Sequence, residues 1–260
     1  MCCRLLVCTN TGGWGSLEYT TSAAGPDAKS LTAGQLLGGR WRPLQYFFKQ
    51  SLYADVMATC GAGGRCYVKN DGAAPFIGSV VVTEIHLGVA AQAGTTTSAA
   101  VPPVAQTLQV SMPAGPGATQ YFTMDASFKM DADHVYDVAV HSAAATAAAA
   151  TTESAHLSLH MAPKDLHLAP AAITTEVLPP SPTTGKVAVV VSSNATALYV
   201  TLTSAANGRF EDNAFWLTAG NPKTIGFVPF AGAGAKAGEQ LAAELKATLR
   251  TEHLGGSMTM

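Results

Sequence analysis

His156 and His160 stand four residues apart in Ala155-His-Leu-Ser-Leu-His-Met161, a spacing that would put both imidazoles on one face of a strand. A metal held there would need at least a third protein ligand, and the sequence suggests none, so no metal site is expected. The chain has five cysteines. Cys2, Cys3 and Cys8 crowd the start, and Cys60 and Cys66 flank Gly-Ala-Gly-Gly-Arg; no two cysteines have the two-residue spacing of a zinc knuckle. Cys60 and Cys66 read by default as free thiols, with a disulfide across their flexible loop as the alternative. Asn194-Ala-Thr196 is an N-glycosylation sequon, usable only if the protein is secreted. No feature of the chain asks for a cofactor.

Composition removes other kinds of chemistry. Charged residues make up 12% of the 260-residue chain and the net charge is −2. Without a basic field there is nothing to hold a polyanion, so no nucleic-acid partner is expected. No uninterrupted apolar run approaches the roughly 20 residues of a membrane-spanning helix, so no membrane partner is expected either. Leu5-Leu6-Val7 is too short for the apolar region of a secretory signal, and no signal peptide is expected. The length suits one or two domains with a sizeable core.

The elements that would position these residues are mostly strands. Residues 1–19 read as a short apolar strand and a Gly-rich turn, and residues 20–38, rich in Ala, Ser, Thr and Gly, as an inserted loop. Leu44, Phe47, Phe48, Leu52 and Val56 recur at spacings of three and four, which predicts a helix from Pro43 to about Ala58 with Pro43 in its first turn. Strands are then expected over 78–87, 107–112, 121–124, 133–142 and 155–161. Ala143 to Ala150 reads as a loop, since threonines interrupt it and it has no amphipathic face. A second set is expected over 173–177, 186–192, 197–203, 214–218 and 224–228. Val187, Val189 and Val191 share one face, and Leu241, Leu245 and Leu249 mark a modest amphipathic helix between Glu239 and Thr251. Short strands at this spacing, with turn residues between them, predict β-sandwiches.

Gly208-Arg-Phe-Glu-Asp-Asn-Ala-Phe-Trp-Leu217 sits between two of the late strands and reads as a corner of an immunoglobulin-like sandwich. Gly208 leads the turn, Phe210 and Phe215 are expected in the core, Arg209 and Asp212 to pair, and Asn213 to close a turn on the backbone. Trp216 points away from Phe215 and Leu217. It reads as a contact between domains or as an exposed aromatic for carbohydrate.

The string Ala197-Leu-Tyr-Val-Thr-Leu, the corner itself and Lys223-Thr-Ile-Gly-Phe-Val-Pro-Phe230 resemble the last domain of the β-mannosidases of glycoside hydrolase family 2. Two more segments resemble the same family. Trp14-Gly-Ser-Leu-Glu-Tyr19 with Gly38-Gly-Arg-Trp-Arg-Pro-Leu-Gln-Tyr-Phe47 is similar to the string that closes the family's catalytic (β/α)8 barrel, with Gln45 where His is usual and the 20–38 segment inserted. Pro163-Lys-Asp-Leu166 is similar to the joint between the family's two C-terminal β domains. Glu211 replaces a usual Ser and Ala214 a usual Gly. If that Gly serves a positive φ, Ala there costs about 1 kcal/mol or forces a different turn.

The resemblance implies a mainly β fold of two immunoglobulin-like β-sandwiches, at 59–164 and 165–260, preceded by a remnant of the barrel, a strand or loop plus a helix, over 1–58. It also implies what is lacking. A retaining glycosidase needs two carboxylates about 5 Å apart, and the family's acid/base follows an Asn; this chain has no Asn-Glu dipeptide. No catalytic residue is therefore expected in the chain, and one strand with one helix cannot close a barrel. The expected function is that of the non-catalytic C-terminal portion of an enzyme that removes terminal β-linked mannose, with oligosaccharide reached through a barrel elsewhere. A free-standing module that binds carbohydrate or protein is the alternative. Trp14 reads as a packing residue at the barrel rim, with a distal sugar subsite as the alternative, Trp41 as a helix-start packing residue and Glu18 as a helix-entry carboxylate. The face of the 43–58 helix bearing Phe47, Phe48 and Leu52 is expected to be exposed where the barrel would meet it. The compartment stays open; eukaryotic members of the family are lysosomal, vacuolar or secreted.

Overall fold

The computed structural model of the chain describes residues 17–21, 36–88, 104–143, 151–230 and 236–257, with side chains from Trp41 onward. Trp14, Cys2, Cys3, Cys8 and most of the alanine run lie outside the described residues. Strands β1 (Leu17–Thr21) and β2 (Leu36–Trp41) form an antiparallel pair in which Leu17 faces Trp41. The two ends of the expected 20–38 loop are thus strand. Helix α1 (Pro43–Gln50) follows, with proline at its start.

The helix ends eight residues short of the expected Ala58, which is a correction to the sequence reading. Ser51 donates its hydroxyl to the Phe47 carbonyl at 2.7 Å and the Tyr53 amide closes on Phe48, turning the chain away. Val56 then opens β3 (Val56–Cys60), so the edge placed between residues 58 and 59 falls inside a strand. Leu52 and Val56 kept the helical spacing by coincidence. The β-branched Val56 and Thr59 and the cross-strand fit to β4 (Arg65–Asn70) decide for strand.

β3 and β4 pair with β7 (Ala118–Thr123) in a three-stranded sheet. It faces a four-stranded sheet ordered β6 (Ala105–Met112), β5 (Phe76–His86), β8 (His134–Ser142) and β9 (Thr152–Ser158). All pairings are antiparallel, and alternate residues of each strand enter a common core with Val68, Val80, Val82, Val138 and Val140 fully buried. Each such side chain contributes about 1.5–3 kcal/mol relative to exposure. Cys60 and Cys66 are cross-strand partners and form a disulfide, the reading that the sequence placed second.

A 3₁₀ turn, Pro163–Asp165, leads to a second sandwich. Its larger sheet is ordered β10 (Ile173–Val177), β11 (Val187–Ser193), β15 (Lys223–Pro229) and β13 (Gly208–Phe210). Its smaller sheet is β14 (Phe215–Leu217), β12 (Ala197–Thr203) and β16 (Arg250–Glu252). Val187, Val189 and Val191 share one buried face, as their alternation predicts, and Val190 lies on the other. Helix α2 (Gly238–Thr248) adds Leu241 and Leu245 to this core, and the short α3 (Leu254–Ser257) ends the described chain.

A third apolar cluster joins the sandwiches. Ile85 and Leu87 of the β5 end, Val135 of β8 and Leu157 of β9 point outward from the first sandwich and meet Leu166 and Leu198, with Trp216, Leu168 and Leu254 packed around them. Polar groups follow the same seam: the Thr196 hydroxyl donates to the His86 carbonyl at 3.0 Å and the Ala169 amide to Leu87 at 3.2 Å.

Candidate functional site: a corner braced by a helix

The corner begins at Gly208, where a Cβ would lie 2.4 Å from the Phe227 ring and 2.5 Å from the Val228 carbonyl oxygen, so only glycine allows β13 to lie this close to β15. Phe210 and Phe215 are buried as expected, and the Phe210 ring meets Phe227 edge-on at 5.1 Å. Asn213 is also buried. Its carboxamide oxygen accepts from the Leu202 and Ala214 amides at 2.7 and 3.0 Å, and its Nδ2 donates to the Leu202 carbonyl at 2.9 Å. One side chain thus takes over the backbone bonding of β12 just past its last pair with β14, Val200 with Phe215. Ala214 has φ +56°, the left-handed conformation that a glycine would take without strain.

Arg209 and Asp212 do not pair with each other, contrary to expectation. The Asp212 carboxylate accepts from Lys223 Nζ at 2.6 Å, from its neighbour's amide and from Gln50 Nε2 of α1. Arg209 instead places its guanidinium 4.8 Å over the ring of Trp41. They part because the end of β2 and helix α1 lie across the corner, Trp41 of β2 taking Arg209 and Gln50 of α1 taking Asp212. Tyr46 completes the brace by donating its hydroxyl to the Phe210 carbonyl at 2.7 Å, and burial pushes its phenol well above the ordinary range. Trp41 packs on Tyr46 at 5.2 Å, the packing role read for it. Beside this contact lies a cavity of about 230 Å³ lined by Trp41, Tyr46, Ser204, Arg209 and Asn213.

The other face of α1 is not left open. Phe48 is buried against Tyr53, and Phe47 meets the ring of His156 on β9 at 5.6 Å. The expected exposed face is reduced to Leu52 and Tyr53 at the end of the helix. Helix α1 is therefore a strut that ties the first sandwich to the corner of the second.

The histidines do not form a site. β9 ends at Ser158, so His160 lies beyond the strand and stacks edge-on with Tyr136 at 4.5 Å. Burial holds both imidazoles below their ordinary pKa. Among the described residues no group of three His, Cys, Asp or Glu side chains is placed to hold a metal. Glu18 lies on β1 opposite Arg40 rather than at the start of a helix.

Sequence reasoning passed over two carboxylate settings. At one end of the first sandwich His134 is buried between Asp131, 2.5 Å from Nδ1, and Glu84, 3.8 Å from Nε2. The His134 hydrogen bond holds the exposed Asp131 carboxyl below its usual range. On the outward face of β8, Asp137 sits at the seam between the sandwiches. Burial raises its carboxyl to about 6 against a weaker opposing pull from Lys223, and its Oδ1 is enclosed without a hydrogen-bond partner. The period-two pattern of β8 marks position 137 as outward, but nothing local says that a second sandwich covers it.

Trp216 lies at this seam too, partly packed on the joining cluster and partly lining an adjacent cleft. Asn194 is exposed, and its side-chain oxygen accepts from the Ala172 amide at 2.7 Å.

Comparison with known proteins bears on the second sandwich. The Ig-fold domain family Ig_mannosidase matches residues 168–255. These residues form an Ig-like domain similar to that family. The match covers β10 to β16 and the whole corner, so the resemblance carried by residues 197–230 is borne out there. No curated protein matches the chain. Among solved structures, a β-D-mannosidase from Dictyoglomus thermophilum aligns with 83% of this chain and 23% of its own at 15% identity and a TM-score of 0.49. An exo-chitosanase from Amycolatopsis orientalis aligns over 77% of this chain and 25% of its own, at 12% identity and a TM-score of 0.44. The chain thus spans about a quarter of the length of these structures.

Proposed function

We propose that the chain is the C-terminal, non-catalytic portion of a β-mannosidase-like glycoside hydrolase. Its two sandwiches, divided near residues 164 and 165, brace a catalytic barrel that acts on terminal β-linked mannose in oligosaccharides. The observation that carries this reading is the Ig_mannosidase domain over residues 168–255, because that domain type is named for the enzymes it accompanies. The barrel-like strings at 14–19 and 38–47 support it from the other end of the chain. Helix α1, which stems from the second of those strings, is fastened to the corner by Tyr46 and Gln50. In this reading α1 is the last helix of the barrel and the corner is its anchor. The partner is oligosaccharide held by the barrel, with neither nucleic acid nor membrane involved; no helix among the described residues is long and apolar enough to cross a membrane.

The test is to purify the 260-residue chain and assay a chromogenic β-mannoside, alone and with a separately expressed barrel. The expected result is no turnover by the chain alone and binding to the barrel that weakens on Tyr46→Phe. Turnover by the chain alone, abolished by replacing one of its own carboxylates, would overturn the proposal.

A further inference from the structure

We propose that Asn194 carries an N-linked oligosaccharide, attached through its side-chain nitrogen while the chain is in an oxidising secretory compartment. Two features in different sandwiches carry this inference. The Cys60–Cys66 disulfide sets the compartment, and the turn between β11 and β12 presents the acceptor.

Disulfides persist in secreted and lumenal proteins and are rare in the cytosol, where those that form are transient and catalytic or redox-sensing. The Cys60–Cys66 bridge is of neither such kind. Both cysteines are buried in the core of the first sandwich, and they lack the Cys-X-X-Cys spacing of a thiol oxidoreductase. A sulfur that exchanges with a partner must be reached, and these are enclosed. The bridge is structural, and a structural bridge belongs to an oxidising compartment.

Asn194-Ala-Thr196 is the one N-glycosylation sequon in the 260 residues. In the fold Ser193 and residues 195–198 are all buried, and Asn194 among them is exposed. Its backbone amide donates to the Ala172 carbonyl at 3.4 Å. Its Oδ1 accepts from the Ala172 amide at 2.7 Å, which distinguishes the oxygen from the nitrogen, since an NH2 group could not accept. The residue is thus pinned through its backbone and its oxygen, and Nδ2, the atom that bears the sugar, is left to solvent. A glycan there displaces no packed side chain.

The donor is a lipid-pyrophosphate-linked oligosaccharide. Nδ2 bonds to the anomeric carbon of its first N-acetylglucosamine, the bond from that carbon to the pyrophosphate breaks, the lipid pyrophosphate leaves, and one amide proton passes to solvent. The transfer precedes docking of the two sandwiches, because the sequon is read through its Thr hydroxyl. In the fold the buried Thr196 hydroxyl is committed to the His86 carbonyl at 3.0 Å. Entry into the secretory pathway is a requirement that Leu5-Leu6-Val7 does not meet by itself, and the experiment tests it directly. The inference does not rest on the barrel-bracing reading, and an unglycosylated protein would leave that reading as it stands.

The natural protein, purified from the cells that make it, is digested with trypsin, and the peptides are then treated with peptide N-glycosidase F in heavy-oxygen water. The enzyme turns a glycosylated Asn into a heavy Asp. A sample without enzyme corrects for spontaneous deamidation, to which Asn207-Gly in the same tryptic peptide is prone. Fragment ions of peptide 187–209 are expected to place the heavy Asp at position 194. In a parallel sample alkylated under denaturing conditions, Cys60 and Cys66 are expected to react only after reduction. In the same cells Thr196→Ser should keep the heavy Asp, because Ser also completes a sequon. Thr196→Val should lose it, whether or not that variant folds, since the transfer precedes folding. An unlabelled peptide from the natural protein overturns the proposal. So do Cys60 and Cys66 that react before reduction, or a Thr196→Val peptide labelled like the wild type.

Discussion

Asp137→Asn should make the protein more stable at neutral pH, and the gain should vanish in acid. Asp137 has its carboxyl raised from 3.8 to about 6 by burial. A raised acid binds its proton more tightly in the folded state, so the folded protein is favoured while the group is protonated. The cost of ionising it in place is absent near pH 4, grows between about pH 4 and 6, and is fully present above. A difference of about 2 units at 1.36 kcal/mol per unit sets an upper value of about 3 kcal/mol. The side chain is partly open to the cleft and Lys223 attracts its charge, so a gain of about 1–2 kcal/mol is the working figure. Asn has the shape of the protonated acid and cannot ionise. The assay is urea unfolding of both proteins at pH steps from about 4 to 8, with the midpoint difference multiplied by the common slope. A difference independent of pH, or a wild type that is the more stable protein at pH 8, would refute the placement of Asp137 in a desolvated seam.

Phe215→Ala should cost about 3–5 kcal/mol in the same unfolding assay, because the ring is fully enclosed in the second core; a loss under about 1 kcal/mol would remove it from that core. Asn213→Ala should cost about 2–4 kcal/mol, since it strands the Leu202 amide and carbonyl and the Ala214 amide. A variant as stable as the wild type would mean that water replaces all three bonds. Replacing Cys60 and Cys66 together by Ala should lower stability by about 2 kcal/mol, the loop-closure value for a bridge between residues six apart. A variant as stable as the wild type would refute a loop-closure contribution from this bridge.

The sequence made the second sandwich legible for a physical reason. Residues 173–177 and 197–203 are short runs bounded by turn residues, the second of them alternating, and both strands fall where the pattern places them. Phe210, Asn213 and Phe215 were legible for the same reason: the corner is built from groups within a few residues of one another. What failed depended on partners distant in the chain. Leu52 and Val56 carried a helical period past the end of α1, and only the pairing of β3 with β4 reveals the strand. Arg209 and Asp212 looked like a local pair, but Trp41 at the end of β2 takes Arg209 and Lys223 takes Asp212. The Cys60–Cys66 bridge follows from strand register, which the intervening Gly-rich turn does not declare. The burial of Asp137 could not be read at all, because the groups that cover it come from the other sandwich.

The brace from Tyr46 to Phe210 spans 164 residues of chain, and that separation sets a delay during biosynthesis. At about 5–20 residues per second, α1 leaves the ribosome on the order of 10–30 s before the corner that receives it. The first sandwich can close in that interval, since all its strands precede Pro163, and Phe47 can find His156 on β9. The Tyr46 and Gln50 side of the helix has no partner yet. Each new molecule therefore passes through a half-docked stage in which Tyr46 and Trp41 face water. Chaperone capture or misassociation of the nascent chain would fall in that stage, and shortening it by faster translation between residues 46 and 210 is a property of the message rather than of the fold.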